Sequence, residues 1–195
     1  MRAITLTSVA LLVVTGCSGP TVVDTGEWAT FPTSATPAAP ALPPIDSAHL
    51  ANAARFVAYE NNLAAYYFAT PSGRWQCAIL PRDKAGCQAT GGGALSIAGA
   101  PDTVTDAEGQ DVPPNAIVIE PGGDAQFAAL DDPGFAPPEP ANELPFNRTL
   151  IAARFRCNIR EDTGIACVSE ESGKGFTFSS DEYVPQYSEV PLDMP

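Results

Sequence analysis

Basic charge and catalytic side chains are scarce in this chain. Of its 195 residues only 10 are Lys or Arg, against 23 Asp and Glu, for a formal net charge of −13. Nothing in that balance neutralises a run of phosphates, which argues against DNA or RNA as a partner. The same deficit argues against adhesion to anionic lipid by charge alone. There is one histidine, His49. A general base needs a nucleophile and an orienting carboxylate beside it, and no Gly-x-Ser-x-Gly elbow is present. A His-based hydrolase is therefore not expected, and His49 is expected to be a solvated helix residue. Beyond the first twenty residues no apolar run approaches the eighteen or so residues that a membrane-spanning helix requires.

Acidic pairs are plentiful: Asp131–Asp132, Glu161–Asp162, Glu170–Glu171 and Asp181–Glu182. Glycoside hydrolysis needs two carboxylates at a set separation, but adjacent acids on loops usually serve solubility. The stretch Asp102–Asp111 has the acid density of a calcium loop without the D-x-[DN]-x-[DN]-G order. No catalytic residue, no metal site and no cofactor are assigned.

The amino end reads as an address. Met1–Arg2 is a short positive region, residues 3–14 (AITLTSVALLVV) are apolar, and Val14-Thr15-Gly16-Cys17 places small residues before a cysteine. A run of that length fits a cleaved signal, 1–16, rather than a permanent span. The segment resembles the lipobox of bacterial lipoproteins, in which the Cys17 thiol would take a diacylglyceryl group and become the first residue. Two or three acyl chains then hold the protein on the bilayer, each buried CH₂ contributing about 0.8 kcal/mol. The expected location is the extracytoplasmic face of the cell membrane, with the lipid as the membrane contact. Residues 17–45 carry Pro20, Pro32, Pro37, Pro40, Pro43 and Pro44 among Thr, Ala and Ser, without apolar periodicity. That composition makes a tether of mixed polyproline and coil character.

One extracytoplasmic domain is expected over 46–195, mainly β with one N-terminal helix, as a small antiparallel sheet, sandwich or barrel of disulfide-braced hairpins. The helix is read from Asp46 or Ser47 as cap, Leu50, Ala53, Ala54 and Val57 at helical spacing, and Asn61–Asn62 as stop. Strands follow at 66–69, 74–80, 87–90, 116–120, 125–130, 149–160, 165–170 and 175–179, with Thr70-Pro71-Ser72-Gly73 as a turn. Residues 91–114 and the proline-rich stretch 131–146 carry no clear assignment.

An internal echo is the most informative feature. Arg74-Trp75-Gln76-Cys77-Ala78-Ile79 aligns with Arg154-Phe155-Arg156-Cys157-Asn158-Ile159, and a second cysteine, Cys87 or Cys167, follows ten residues after the first. Turn residues lie between, so each pair can face across a hairpin, within disulfide range. Cys77–Cys87 and Cys157–Cys167 are chosen among three connectivities. Four cysteines could instead bind zinc, but zinc sites use closer pairs. Alternation puts Trp75, Cys77 and Ile79 on one face, and Phe155, Cys157 and Ile159 likewise. The opposite face carries Arg154, Arg156 and Arg160, a strip that with Lys174 could hold an anion or a partner. The competing reading is cross-strand pairing, with Arg154 facing Glu170.

Phe68-Ala69-Thr70-Pro71-Ser72-Gly73 before Cys77, and Gly164-Ile165-Ala166-Cys167 before Gly173-Lys174-Gly175-Phe176-Thr177-Phe178-Ser179 and Tyr183, resemble the opening and closing patterns of a family of small secreted and lipoprotein domains of actinobacteria. Lys174 stands where that family tends to have His, and Ser180 where it tends to have Arg. The resemblance covers roughly 66–90 and 148–187. It implies export and four disulfide-forming cysteines, and brings no activity with it.

Three functions are compatible with these residues. The first is a non-catalytic binding or interaction module on the envelope, with an envelope protein or wall glycan as partner. The second is an inhibitor of a lysozyme or other envelope hydrolase, presenting Ser172–Gly175 as an inserting loop, its acidity steering it toward a basic enzyme. The third is a carboxylate-dependent wall hydrolase.

Overall fold

Short aromatic and β-branched runs, broken by glycine, proline and asparagine turns, pair mainly antiparallel in the described residues. The computed structural model describes residues 42, 44–60, 62–131, 134–137 and 140–192. The signal-like segment, Cys17 and the tether through residue 41 lie outside them.

The expected N-terminal helix is not present. Asp46 and Asn52 each cap a single 3-10 turn, Ser47–His49 and Ala53–Arg55, by accepting from the backbone N–H two residues on. The chain then extends as β1 (Val57–Glu60), which pairs with β2 (Leu63–Ala69) from Val57↔Tyr66 to Glu60↔Leu63. The apolar stripe was too narrow to sustain a helix. Phe56, Val57 and Tyr59 favour an extended chain, and Phe56 gains burial in the core. The expected helix stop is thus the connection between two paired strands, with Asn62 at φ 63°.

The first sheet continues through β3 (Trp75–Leu80), β4 (Lys84–Ala89), β7 (Ala116–Ile119) and β8 (Gln126–Ala128). Between β4 and β7 lies a small hairpin, β5 (Val104–Thr105) and β6 (Asp111–Val112). A parallel strand, β9 (Asn142–Glu143), joins the free end of β2. The second sheet is the meander β10 (Arg148–Ala152), β11 (Phe155–Arg160), β12 (Gly164–Ser169), β13 (Gly175–Phe178) and β14 (Tyr183–Val184). The sequence echo is therefore a structural one. The order β2-β3-β4-β7-β8 of the first sheet matches β10 to β14 of the second, with 90–115 inserted into the first copy.

The expected strand 149–160 is broken in two. Ala152 pairs with Phe155 across Ala153 (φ 47°) and Arg154 (φ 67°), a two-residue hairpin with both central residues left-handed. Asn and Gly usually announce such a turn; here neither is present.

Both disulfides form as expected, Cys77–Cys87 and Cys157–Cys167, each between directly opposed residues with Cα atoms 4.0 and 4.1 Å apart. All four cysteines are fully buried, in one core shared by both sheets. Phe68, Ile79, Ile117 and Ile119 enter it from the first sheet, and Leu150, Phe155, Phe176 and Phe178 from the second. Trp75 meets Phe178 edge-on, with ring centroids 4.8 Å apart. Each outer face is covered as well. Phe135 lies over Gly86 of the first sheet, beside Tyr67, Ala78 and Val118. The C-terminal segment after β14 lies over the second.

Candidate functional site: the covered face of the second sheet

Pleating sends Arg156, Asn158 and Thr177 away from the core, onto the outer face of the second sheet. Thr149, Asn158, Ala166, Thr177 and Val184 stand side by side across its five strands. Three of the five are polar, yet Thr149 and Asn158 are fully buried and Thr177 nearly so. The cover over Asn158 and Thr177 is residues 186–190, which cross the face by hydrogen bonds from sheet side chains. Thr177 Oγ1 donates to the Gln186 carbonyl at 2.7 Å, Asn158 Nδ2 to the Ser188 carbonyl at 2.9 Å, and Arg160 Nη1 to the Glu189 carbonyl at 3.0 Å. Asn158 Nδ2 also donates to Tyr187 Oη at 2.9 Å, and Tyr187 Oη lies 3.1 Å from Glu189 Oε1. Val190 closes the segment, 4% exposed.

The predicted basic strip is here, and each member has a carboxylate. Arg156 binds Glu189 at 2.7 Å and Glu170 at 3.2 Å. Burial opposes its charge, but Glu189, Tyr187 and Glu170 outweigh that and raise the guanidinium above its usual value. Arg160 binds Asp162 through Nε at 2.9 Å. The Arg160 guanidinium holds the exposed Asp162 carboxyl below the usual carboxylate range. Arg154 lies at the hairpin tip. Its carbonyl accepts from the Glu170 N–H, as register requires, but its side chain reaches Glu171 at 3.2 Å, because the Glu170 carboxylate turns to Arg156. Lys174 stands apart from the other three, bound to Asp124 of the β7–β8 turn at 2.9 Å. Ser169 Oγ donates to Pro121 O at 2.6 Å on that same turn, so the loop Ser172–Gly175 is docked against the first sheet.

No family model, curated protein or solved structure matches this chain.

Other residues singled out from sequence have structural employment. His49 is buried rather than solvated, 7% exposed, and its Nδ1–H donates to the Asn147 carbonyl at 3.1 Å. The reason is the missing helix: the first 3-10 turn lies against β10, where Leu50 bridges Thr149. Asp106 in the calcium-like stretch accepts from the N–H groups of Glu108 (3.1 Å) and Gln110 (2.7 Å), shaping the β5–β6 hairpin. Among the described residues no cluster of three His, Cys, Asp or Glu could hold a metal. The two halves of the family-like pattern meet: Thr70, Pro71, Ser72 and Trp75 share a small cleft of about 140 Å³ with Gly164, Ile165, Phe178 and Ser179. Thr70 Oγ1 accepts from the Trp75 N–H at 3.3 Å and Thr90 Oγ1 donates to Gly73 O at 2.7 Å, so these motif residues build the β2–β3 turn.

Tyr187 and Glu189 were not legible as site residues. Alternation places Asn158 and Thr177 on an outer face, but no local signal says that the chain's last segment returns to cover them.

Proposed function

We propose that this chain is a lipid-anchored, extracytoplasmic envelope protein whose folded domain is a non-catalytic binding module of the actinobacterial secreted and lipoprotein type. One observation carries the binding reading. The second sheet holds residues 186–190 across its outer face through side-chain donors aimed at main-chain carbonyls and a carboxylate. That is peptide recognition chemistry, already assembled and, in this case, occupied by the chain's own residues 186–190. The lipobox-like Gly16–Cys17 motivates the anchor. The two disulfides are compatible with an oxidising compartment outside the cytosol.

Intact mass of protein extracted from native membranes tests the anchor. A chain beginning at Cys17 with two or three acyl groups is expected, and a chain beginning elsewhere without lipid would overturn it. Affinity capture from cross-linked cells tests the module: a reproducible envelope partner is expected, and none in repeated captures would count against it.

A further inference from the structure

The segment 186–190 is bound, but not as a strand. Its contacts to the face are made by side chains of β11 and β13, not by a ladder, so it can leave without unpairing the sheet. What the face reads is simple. Three carbonyls accept from Thr177, Asn158 and Arg160. A phenol hydroxyl accepts from Asn158, and a carboxylate two residues after the phenol binds Arg156. Residues 186–190 supply all of these with a Tyr-x-Glu spacing.

Residues 186–190 fill the site incompletely. Asn158 is fully buried, yet its Oδ1 has no hydrogen-bond partner among the described residues. Thr163 Oγ1 is buried and unpartnered among them too, and Thr163 lines a cavity of about 360 Å³ bounded by Tyr187 and Ser188. Buried acceptors without donors cost free energy that a better-matched occupant recovers. Ser188 Oγ accepts from Arg160 Nη1 at 3.5 Å, and Ser188 borders that cavity, which leaves room beside it for a longer donor side chain.

We propose that this face is a binding site for an acidic segment of a partner protein, of the form Tyr-x-Glu with a longer hydrogen-bond donor at x, and that residues 186–190 are its displaceable internal occupant. This rests on the binding-module reading and names its ligand class. The internal segment competes with any incoming one, so apparent affinity is reduced by the fraction of chains whose face is open. Weakening the internal segment alone raises affinity for a peptide in trans.

The test uses the full mature chain, its Glu189→Gln variant, and fluorescein-labelled peptides PQYSEVPL and PQYQEVPL read by anisotropy. Glu189→Gln is expected to bind both peptides at least tenfold tighter than the wild type, with the Gln-bearing peptide the stronger. Arg156→Met added to Glu189→Gln is expected to abolish binding, as is Tyr→Phe together with Glu→Gln in the peptide. In parallel, millimolar peptide added to the isotopically labelled wild-type chain is expected to shift the Asn158 side-chain amide, a readout independent of any variant's folding. Absence of that shift, no gain in Glu189→Gln, or binding that survives Arg156→Met overturns the site. If the wild type captures an envelope partner while these peptide results fail, the site falls and the binding-module reading stands. Peptide binding without any captured partner supports the site and counts against the wider reading.

Discussion

Arg156 and Glu189 meet at 2.7 Å with side chains only 9% and 15% exposed, so the most buried cation of the second sheet is neutralised from the segment 186–190 that covers it. Removing one partner leaves the other charged and poorly hydrated, which costs about 3–5 kcal/mol for a buried pair. Arg156→Met is therefore expected to be severely destabilising in urea unfolding under oxidising conditions. Arg154→Met, whose side chain is 70% exposed beside Glu171, is expected to cost no more than about 1 kcal/mol. Equal costs would show that the strap does not bury Arg156.

Tyr187 gives the same strap a pH signature. Burial, and then the Glu189 carboxylate, push its phenol above the ordinary value, which is about 10. The folded chain thus keeps a proton that the unfolded chain releases. The stability contributed by this group is complete below about pH 10 and is lost as pH rises beyond it. Tyrosinate absorbance is expected to show a step above the ordinary phenol range. Tyr187→Phe is expected to remove that high-pH component, and an unchanged titration would refute the assignment.

Gly164 closes the β11–β12 turn at φ 89°, and a Cβ there would stand 2.1 Å from the Phe178 carbonyl oxygen. Backbone cannot yield as a flexible side chain can. Gly164→Ala is expected to cost at least the roughly 1–3 kcal/mol typical of overpacking, with left-handed strain added. Gly109 has a similar φ of 80° but open space around it, so Gly109→Ala is expected to cost about 1 kcal/mol. Paired thermal melts compare the two, and the order Gly109→Ala worse than Gly164→Ala would contradict the geometry.

The Ala153–Arg154 turn is held left-handed without a residue suited to it. Asn-Gly satisfies that geometry without the steric cost of Cβ. The double variant Ala153→Asn, Arg154→Gly is expected to stabilise the domain by on the order of 1 kcal/mol, because the exposed ion pair with Glu171 that it removes is worth less than the strain it relieves. A lower unfolding midpoint would argue against the turn.

What could be read from the sequence was what depends on short spacings. Period-two alternation around Cys77 and Cys157 put the cysteines, Ile79, Phe155 and Ile159 on core faces, because pleating fixes side-chain direction within a strand. A ten-residue separation across turn residues made each cysteine face its partner. The Thr70–Gly73 turn announced itself through proline and glycine. The helix reading at 46–62 failed because Leu50, Ala53, Ala54 and Val57 fit a helical spacing locally, while pairing with β2 and burial of Phe56 rewarded an extended chain. The unbroken 149–160 strand failed because Ala and Arg carry no turn signal.

The basic strip depended on both levels. Sequence alone placed Arg156, Asn158 and Arg160 together on the outer face of one strand, since alternate residues share a face. Whether that face would be open was decided only when residues 186–190 folded back over it, bringing Tyr187 and Glu189 to side chains some thirty positions away. Those contacts are set by where the last strand delivers the chain, and no spacing along the sequence encodes that.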